Sequence, residues 1–279
     1  SFLKDEKNMD GVSSKQALCT ALAATVGTGN LAGVAGAIAI GGPGAIFWMW
    51  ICAILGMATK FAEATLSVRY RVKGGDGSYM AGPMYIIRQA MGRKWQILGS
   101  IYCFFGVVAA FGVGSATQIN AVLTGINDCL LSFGGTPSRG LDLLLGCGMA
   151  ALVLILLLGG AKGIGKITEL LVPFAAVAYL LLGTLVLILR AQTVPAAFEA
   201  IFRGAFSPNA VTGGVIGSFF VTLRVGVSRG VFTNEAGMGT AGIAHAGANV
   251  SHPMEQGMMG IMEVFLDTIV ICTMTALVI

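Results

Sequence analysis

Residues 26–30 read Val-Gly-Thr-Gly-Asn, and they sit inside a run without a single charge from residue 16 to 59. Two glycines loosen a helix, Thr28 brings a hydroxyl and Asn30 a carboxamide. In hydrocarbon every backbone polar group needs a partner, so a broken helix persists only within protein or beside a watery cavity. A break at this point frees carbonyls for a cation and turns the N–H groups of a half-helix toward an anion. A carboxylate and a sodium ion can then be held side by side without any charged side chain. A second reading stays open, in which these glycines let helices approach closely. Gly29 and Gly33 form a GxxxG, and Gly33 and Gly36 are assigned to packing.

Other polar residues in apolar runs carry weaker signals. Gln118, in "GSATQINA", can donate and accept hydrogen bonds and is the candidate for a cavity lining. Asn120 faces another side and fits interhelical hydrogen bonding. Intramembrane ionisable residues are functional candidates. Lys60 and Glu63, three apart, are expected to neutralise each other. Glu263 and Asp267, one turn apart, either relay protons or pair with Arg224 or Arg229, and pairing is preferred. The glycine-rich segments 74–92 and 228–248 are expected to be structured loops packed on the bundle. His245 and His252 receive no assignment. No nucleophile elbow, Walker loop, HExxH or dinucleotide fingerprint occurs, and "GTGNLAG" lacks the spacing of a nucleotide loop. Nothing points to an enzyme.

The elements that must position these residues follow from composition. Of 279 residues, 56% are hydrophobic and 11% charged, and mean hydropathy is +0.84. Soluble domains carry about 25% charged residues, so an all-α polytopic membrane protein is expected, its surroundings a lipid bilayer. The alternation of a β-barrel is missing. Spans are read at about 17–40, 44–68, 97–126, 141–160, 168–189, 211–232 and 257–279, seven in one transmembrane domain over 1–279. Lys and Arg concentrate before span 1 and at 69–94 and 162–166, which puts the N-terminus in the cytoplasm. Residues 195–206 read as an amphipathic helix on the outer surface. The cations are not gathered on one face, so nucleic acid is not an expected partner. Six cysteines form no CxxC and no metal-ligand cluster. Five lie in apolar runs, and Cys129 is placed in a loop. Both ends read as cut from a longer chain.

"GGPGAIFWMWICAILGMATKFAE" at 41–63 resembles the signature of the alanine or glycine:cation symporters, the sodium:alanine symporter family of bacteria and archaea. "VGTGNLAGVAGAIAIGG", "GDGSYMAGPMYI" and "RGVFTNEAGMGTAGIAHA" resemble further blocks in the same order. The resemblance implies a LeuT-like fold of inverted five-helix repeats, the first helix of each broken at the site. It implies sodium-driven symport of alanine, or glycine, across a prokaryotic plasma membrane. Sodium is the coupling ion and no other cofactor is implied; a proton-coupled permease for small neutral amino acids is the alternative. The carried-over substrate contacts are Thr28, Gly29, Asn30, Gln118 and, by pseudo-symmetry in span 6, Thr222 with an opening at Gly226. Gly27, Thr28 and Asn30 are the implied sodium ligands. Helices expected after span 7 are missing, so the chain alone is not expected to transport.

Overall fold

A computed structural model describes residues 12–75, 78–206 and 214–279. The architecture is helical, with two short strand pairs. Val12–Ser13 pairs in parallel with Ala248–Asn249, and Val72–Lys73 pairs antiparallel with Tyr79–Met80. Helix α1 (Ser14–Thr25) starts from a capping box. The Gln16 amide donates to Ser13 Oγ and the Ser13 amide donates to Gln16 Oε1, both at 3.1 Å, so two otherwise orphaned donors are satisfied.

Helix α2 (Gly29–Gly41) is bent by 52° from α1. It begins as a π turn at Gly29–Gly33, a geometry that often marks functional positions. Gly42, at φ +73°, reverses the chain into Pro43 and α3 (Gly44–Arg69). α4 (Arg93–Ser132) contains a π stretch at Ala110–Ala116. α5 (Arg139–Leu158) and α6 (Gly163–Leu189) follow, then α7 (Val194–Phe206) and α8 (Gly214–Asn234). After a turn come α9 (Thr240–His245) and α10 (Pro253–Val278), which contains the π stretch Phe265–Cys272.

Helix α3 is the centre of the bundle, packed against α7, α8, α9 and α10. The crossing with α8 is close because Gly226 faces it: a methyl added there would meet the Ala45 carbonyl and the Trp48 side chain. At the N-terminal end of α3, Phe47, Trp48 and Trp50 pack edge-on or tilted against Phe202, Phe206 and Phe219, with centroids 5.0–5.9 Å apart in the inter-helix pairs. This explains α7, whose Ile201 and Ala205 are buried while Glu199 and Arg203 form an exposed pair at 2.9 Å. Its apolar face docks on the bundle and its charged face stays outside, as an amphipathic helix requires.

Among the described residues, five helices are long and apolar enough to cross a membrane, six if the bent pair α1–α2 is one span. The apolar window of α5 is 0% buried and that of α6 only 6%, the profile of helices that face lipid. The chain is a multi-pass membrane protein.

Two expectations are corrected. Cys129 lies on α4, not in a loop, because that helix runs on to Ser132. Helix α8 does not open at Gly226; it continues to Asn234, because Gly226 serves the close crossing with α3. The break comes at 235–239, where Glu235 (φ +53°), Gly237 and Gly239 take left-handed backbone.

Candidate functional site

At the bend between α1 and α2 the regular ladder is replaced by side-chain partners. The Gly27 amide donates to Asn30 Oδ1 at 2.7 Å, and the Thr28 amide donates to Gln118 Oε1 at 3.4 Å. The Asn30 amide returns to the Gly27 carbonyl at 3.2 Å. The last carbonyls of α1 therefore lack the usual successor amides, and the negative end of its dipole points into the bend.

Asn30 is fully enclosed, at 1% exposure. Its Nδ2 donates to Asp267 Oδ1 at 2.7 Å and lies 3.2 Å from the Asp267 carbonyl and 3.3 Å from Cys272 Sγ. Asp267 sits in the π stretch of α10, 0% exposed. Its Oδ2 accepts from Thr268 Oγ1 at 2.8 Å, and Thr233 of α8 lies 3.3 Å from that same hydroxyl. Among the described residues, no cationic side chain forms a salt bridge with Asp267. A buried carboxylate supported only by neutral donors is costly, and its charge is free to hold a cation.

Two cavities meet at Gly27 and Gln118. One, of about 580 Å³, is walled by α1, α4 and the 235–240 segment, including Tyr102, Glu235 and Thr240. The other, of about 680 Å³, runs along Thr28, Asn30, Gln118, Ala175, Tyr179 and Ile271. Val26, Gly27 and Gln118 line both.

The structure thus brings Gly27, Thr28, Asn30 and Gln118 together. Gly29 lines the first cavity and also abuts α8: an added methyl would lie 3.2 Å from Thr233 Cγ2. Thr222 is not brought to this group. It is 2% exposed and donates to the Gly41 carbonyl at 2.6 Å, near the far end of α2. Gly41 lies eleven residues along from Asn30, roughly 16 Å of helix.

The family model described as the sodium:alanine symporter family matches residues 1–279. The chain belongs to the sodium:alanine symporter family. It is similar to the sodium/alanine symporter AgcS of Methanococcus maripaludis, with 45% identity over 277 residues, 99% of this chain and 59% of that protein. It is 43% identical over 279 residues to an uncharacterized transporter of Haemophilus influenzae, 99% of this chain and 59% of the relative. It is 40% identical over 275 residues to YrbD of Bacillus subtilis, a putative sodium/proton-dependent alanine carrier protein, covering 99% of this chain and 54% of that one. The chain therefore spans between half and two thirds of the length of these relatives. The family consists of transporters, not enzymes.

Several residues of this cluster escaped the sequence reading. Thr233, Thr268 and Cys272 surround Asn30 and Asp267, and no sequence signal pointed to them. Asp267 stood out as an intramembrane acid, but neither it nor Glu263 pairs with Arg224 or Arg229 among the described ion pairs. Arg229 lies beside Gly36 instead. Glu263 pairs with Lys60 at 3.1 Å and with His245 Nε2 at 3.1 Å, all three side chains fully buried. Lys60 therefore does not pair with Glu63, whose Oε1 accepts from the Gly239 amide at 3.0 Å.

Proposed function

We propose that this protein is a secondary active symporter that couples sodium entry to the uptake of alanine, or glycine, by alternating access. The observation that carries the reading is Asp267: a fully buried carboxylate, held by Asn30 and Thr268, at the bend of the first span. Sodium binds there, with Asp267 supplying the charge, Thr233, Thr268 and the loose carbonyls near Gly27 supplying neutral oxygens, and Asn30 holding the carboxylate through its Nδ2. Thr28, Gly29 and Asn30 receive the amino acid, with the half-helix N-terminus of α2 directed at its carboxylate. Gln118, facing both cavities, contacts the substrate from α4. The small side chains around the bend favour a small amino acid.

The same reading covers the architecture. Helices α1–α2 form one broken span, and α3 to α6 complete a five-helix repeat. Helix α8 opens an inverted second repeat with α10, giving seven spans. The break at 26–28 lies inside the first span and the left-handed turn at 235–239 directly follows α8, which supports this reading. With Lys and Arg gathered before α1 and after α3, the N-terminus of this chain lies in the cytoplasm and the protein in the plasma membrane.

The test is uptake of radiolabelled alanine into proteoliposomes holding the complete gene product, at fixed pH, with a sodium gradient or a proton gradient. Uptake driven by the sodium gradient and competed by glycine more than by leucine supports the reading. Uptake that follows only the proton gradient, or strong leucine competition, overturns it.

A further inference from the structure

A second polar cluster lies one layer from Asp267. Lys60 of α3, Glu263 of α10 and His245 of α9 are each 0% exposed. Glu263 bridges the other two, its Oε1 3.1 Å from Lys60 Nζ and its Oε2 3.1 Å from His245 Nε2. His245 is held from behind by Gln256, which accepts from the Ser14 hydroxyl at 2.7 Å. A buried ion pair adds little net stability over a well-packed apolar pair, so its presence in a membrane bundle calls for another role.

Lys60 does one more thing. Its ammonium donates to the Asn234 carbonyl at 2.8 Å, at the point where α8 ends and the chain turns left-handed at Glu235. A helix end leaves carbonyls without partners, and a cation suits that negative pole. Asn234 is 1% exposed. Its Oδ1 accepts from the Ala236 amide at 3.0 Å, and its Nδ2 donates to Thr268 Oγ1 at 3.4 Å. Thr268 in turn donates to Asp267. The path Lys60, Asn234, Thr268, Asp267 is continuous, and each link is enclosed.

We propose that Lys60 is a positioning residue for the cation site. It anchors the end of α8, so that Thr233 and Asn234 face the π stretch of α10 and the Asp267 carboxylate keeps its orientation. Glu263 compensates the Lys60 charge, with His245 hydrogen-bonded to its other oxygen, which leaves the Asp267 charge to the ion. This inference rests on the sodium reading of Asp267. It differs from a purely mechanical role for the ion pair, which would move stability but not sodium affinity alone.

The test measures sodium binding to the purified, complete protein by scintillation proximity, and alanine KM at saturating sodium, for two variants. Asn234→Ala cuts the path without changing any charge. Lys60→Met/Glu263→Gln removes both charges together and avoids a lone buried ion. Loss of one modest hydrogen bond predicts about a fivefold rise in sodium Kd for Asn234→Ala. The double variant is expected to show a larger rise, with alanine KM at saturating sodium unchanged in both. Folded variants with wild-type sodium Kd overturn the proposal, as does an alanine KM that shifts as much as the sodium Kd. Wild-type protein that binds no sodium removes the sodium reading itself, and this inference with it.

Discussion

Replacing Asn30 by alanine tests the bend most severely. The side chain accepts the Gly27 amide through Oδ1 at 2.7 Å and donates to the Asp267 carboxylate through Nδ2 at 2.7 Å. Truncation leaves the part-buried Gly27 N–H without its partner and strips a buried carboxylate of one donor. A buried polar group left unmatched costs roughly 1–3 kcal/mol, and a hydrogen bond to a charged group is worth about 1.5–3 kcal/mol. Water can reach Gly27 from the adjoining cavities and relieve the amide, so the lower sum, about 2.5 kcal/mol, is the better expectation. If that loss falls on the ligand-competent state, alanine affinity drops about 70-fold. The assay is isothermal titration of alanine into the complete protein, with and without sodium, together with a thermal unfolding curve in sodium-free buffer. A folded Asn30→Ala protein that binds alanine with wild-type affinity and wild-type sodium dependence would refute the reasoning.

Two further substitutions separate packing from function. Gly226→Ala drives a methyl into the Ala45 carbonyl and Trp48; overpacking of this kind costs about 1–3 kcal/mol, and a fall in Tm of several degrees is expected, with an unchanged Tm as the contrary result. Thr222→Val removes the hydroxyl that donates to the Gly41 carbonyl, so a stability loss of about 1 kcal/mol with unchanged alanine KM is expected; a raised KM with unchanged Tm would put Thr222 back in contact with substrate.

How far the sequence reveals these features depends on how local their causes are. The bend at 26–28 was readable because two glycines, a threonine and an asparagine in an uncharged run leave few other uses for those residue types. Gln118 stood out, with Asn120 two residues on, as a carboxamide on an otherwise apolar helix, and it accepts from the Thr28 amide. Helix α3 was readable to within a residue at each end, because Gly42–Pro43 and Arg69 bound it. The ion pairs were not. Lys60 and Glu63 sit three apart, and Glu263 and Asp267 four apart, so local spacing suggested local partners. In the fold, α10 and α9 pack on α3 and bring Glu263 and His245 to Lys60 from about 200 residues away. Sequence spacing carries no information about such crossings. The second break was misplaced for a related reason. Gly226 and Gly237 are the same residue type, but one is a helix-crossing position and the other a left-handed turn. Only the glycine spacing around Glu235, in "NEAGMG", distinguished the turn.

The central claim is that the Asp267 carboxylate holds the coupling ion. Asp267→Asn keeps the shape and removes the charge, and direct sodium binding to the purified, complete protein reads the consequence. The account predicts a folded variant whose sodium Kd rises by about 100-fold or more, the effect of losing a buried ionic ligand worth roughly 3 kcal/mol. A folded Asp267→Asn protein that binds sodium as the wild type does would contradict it.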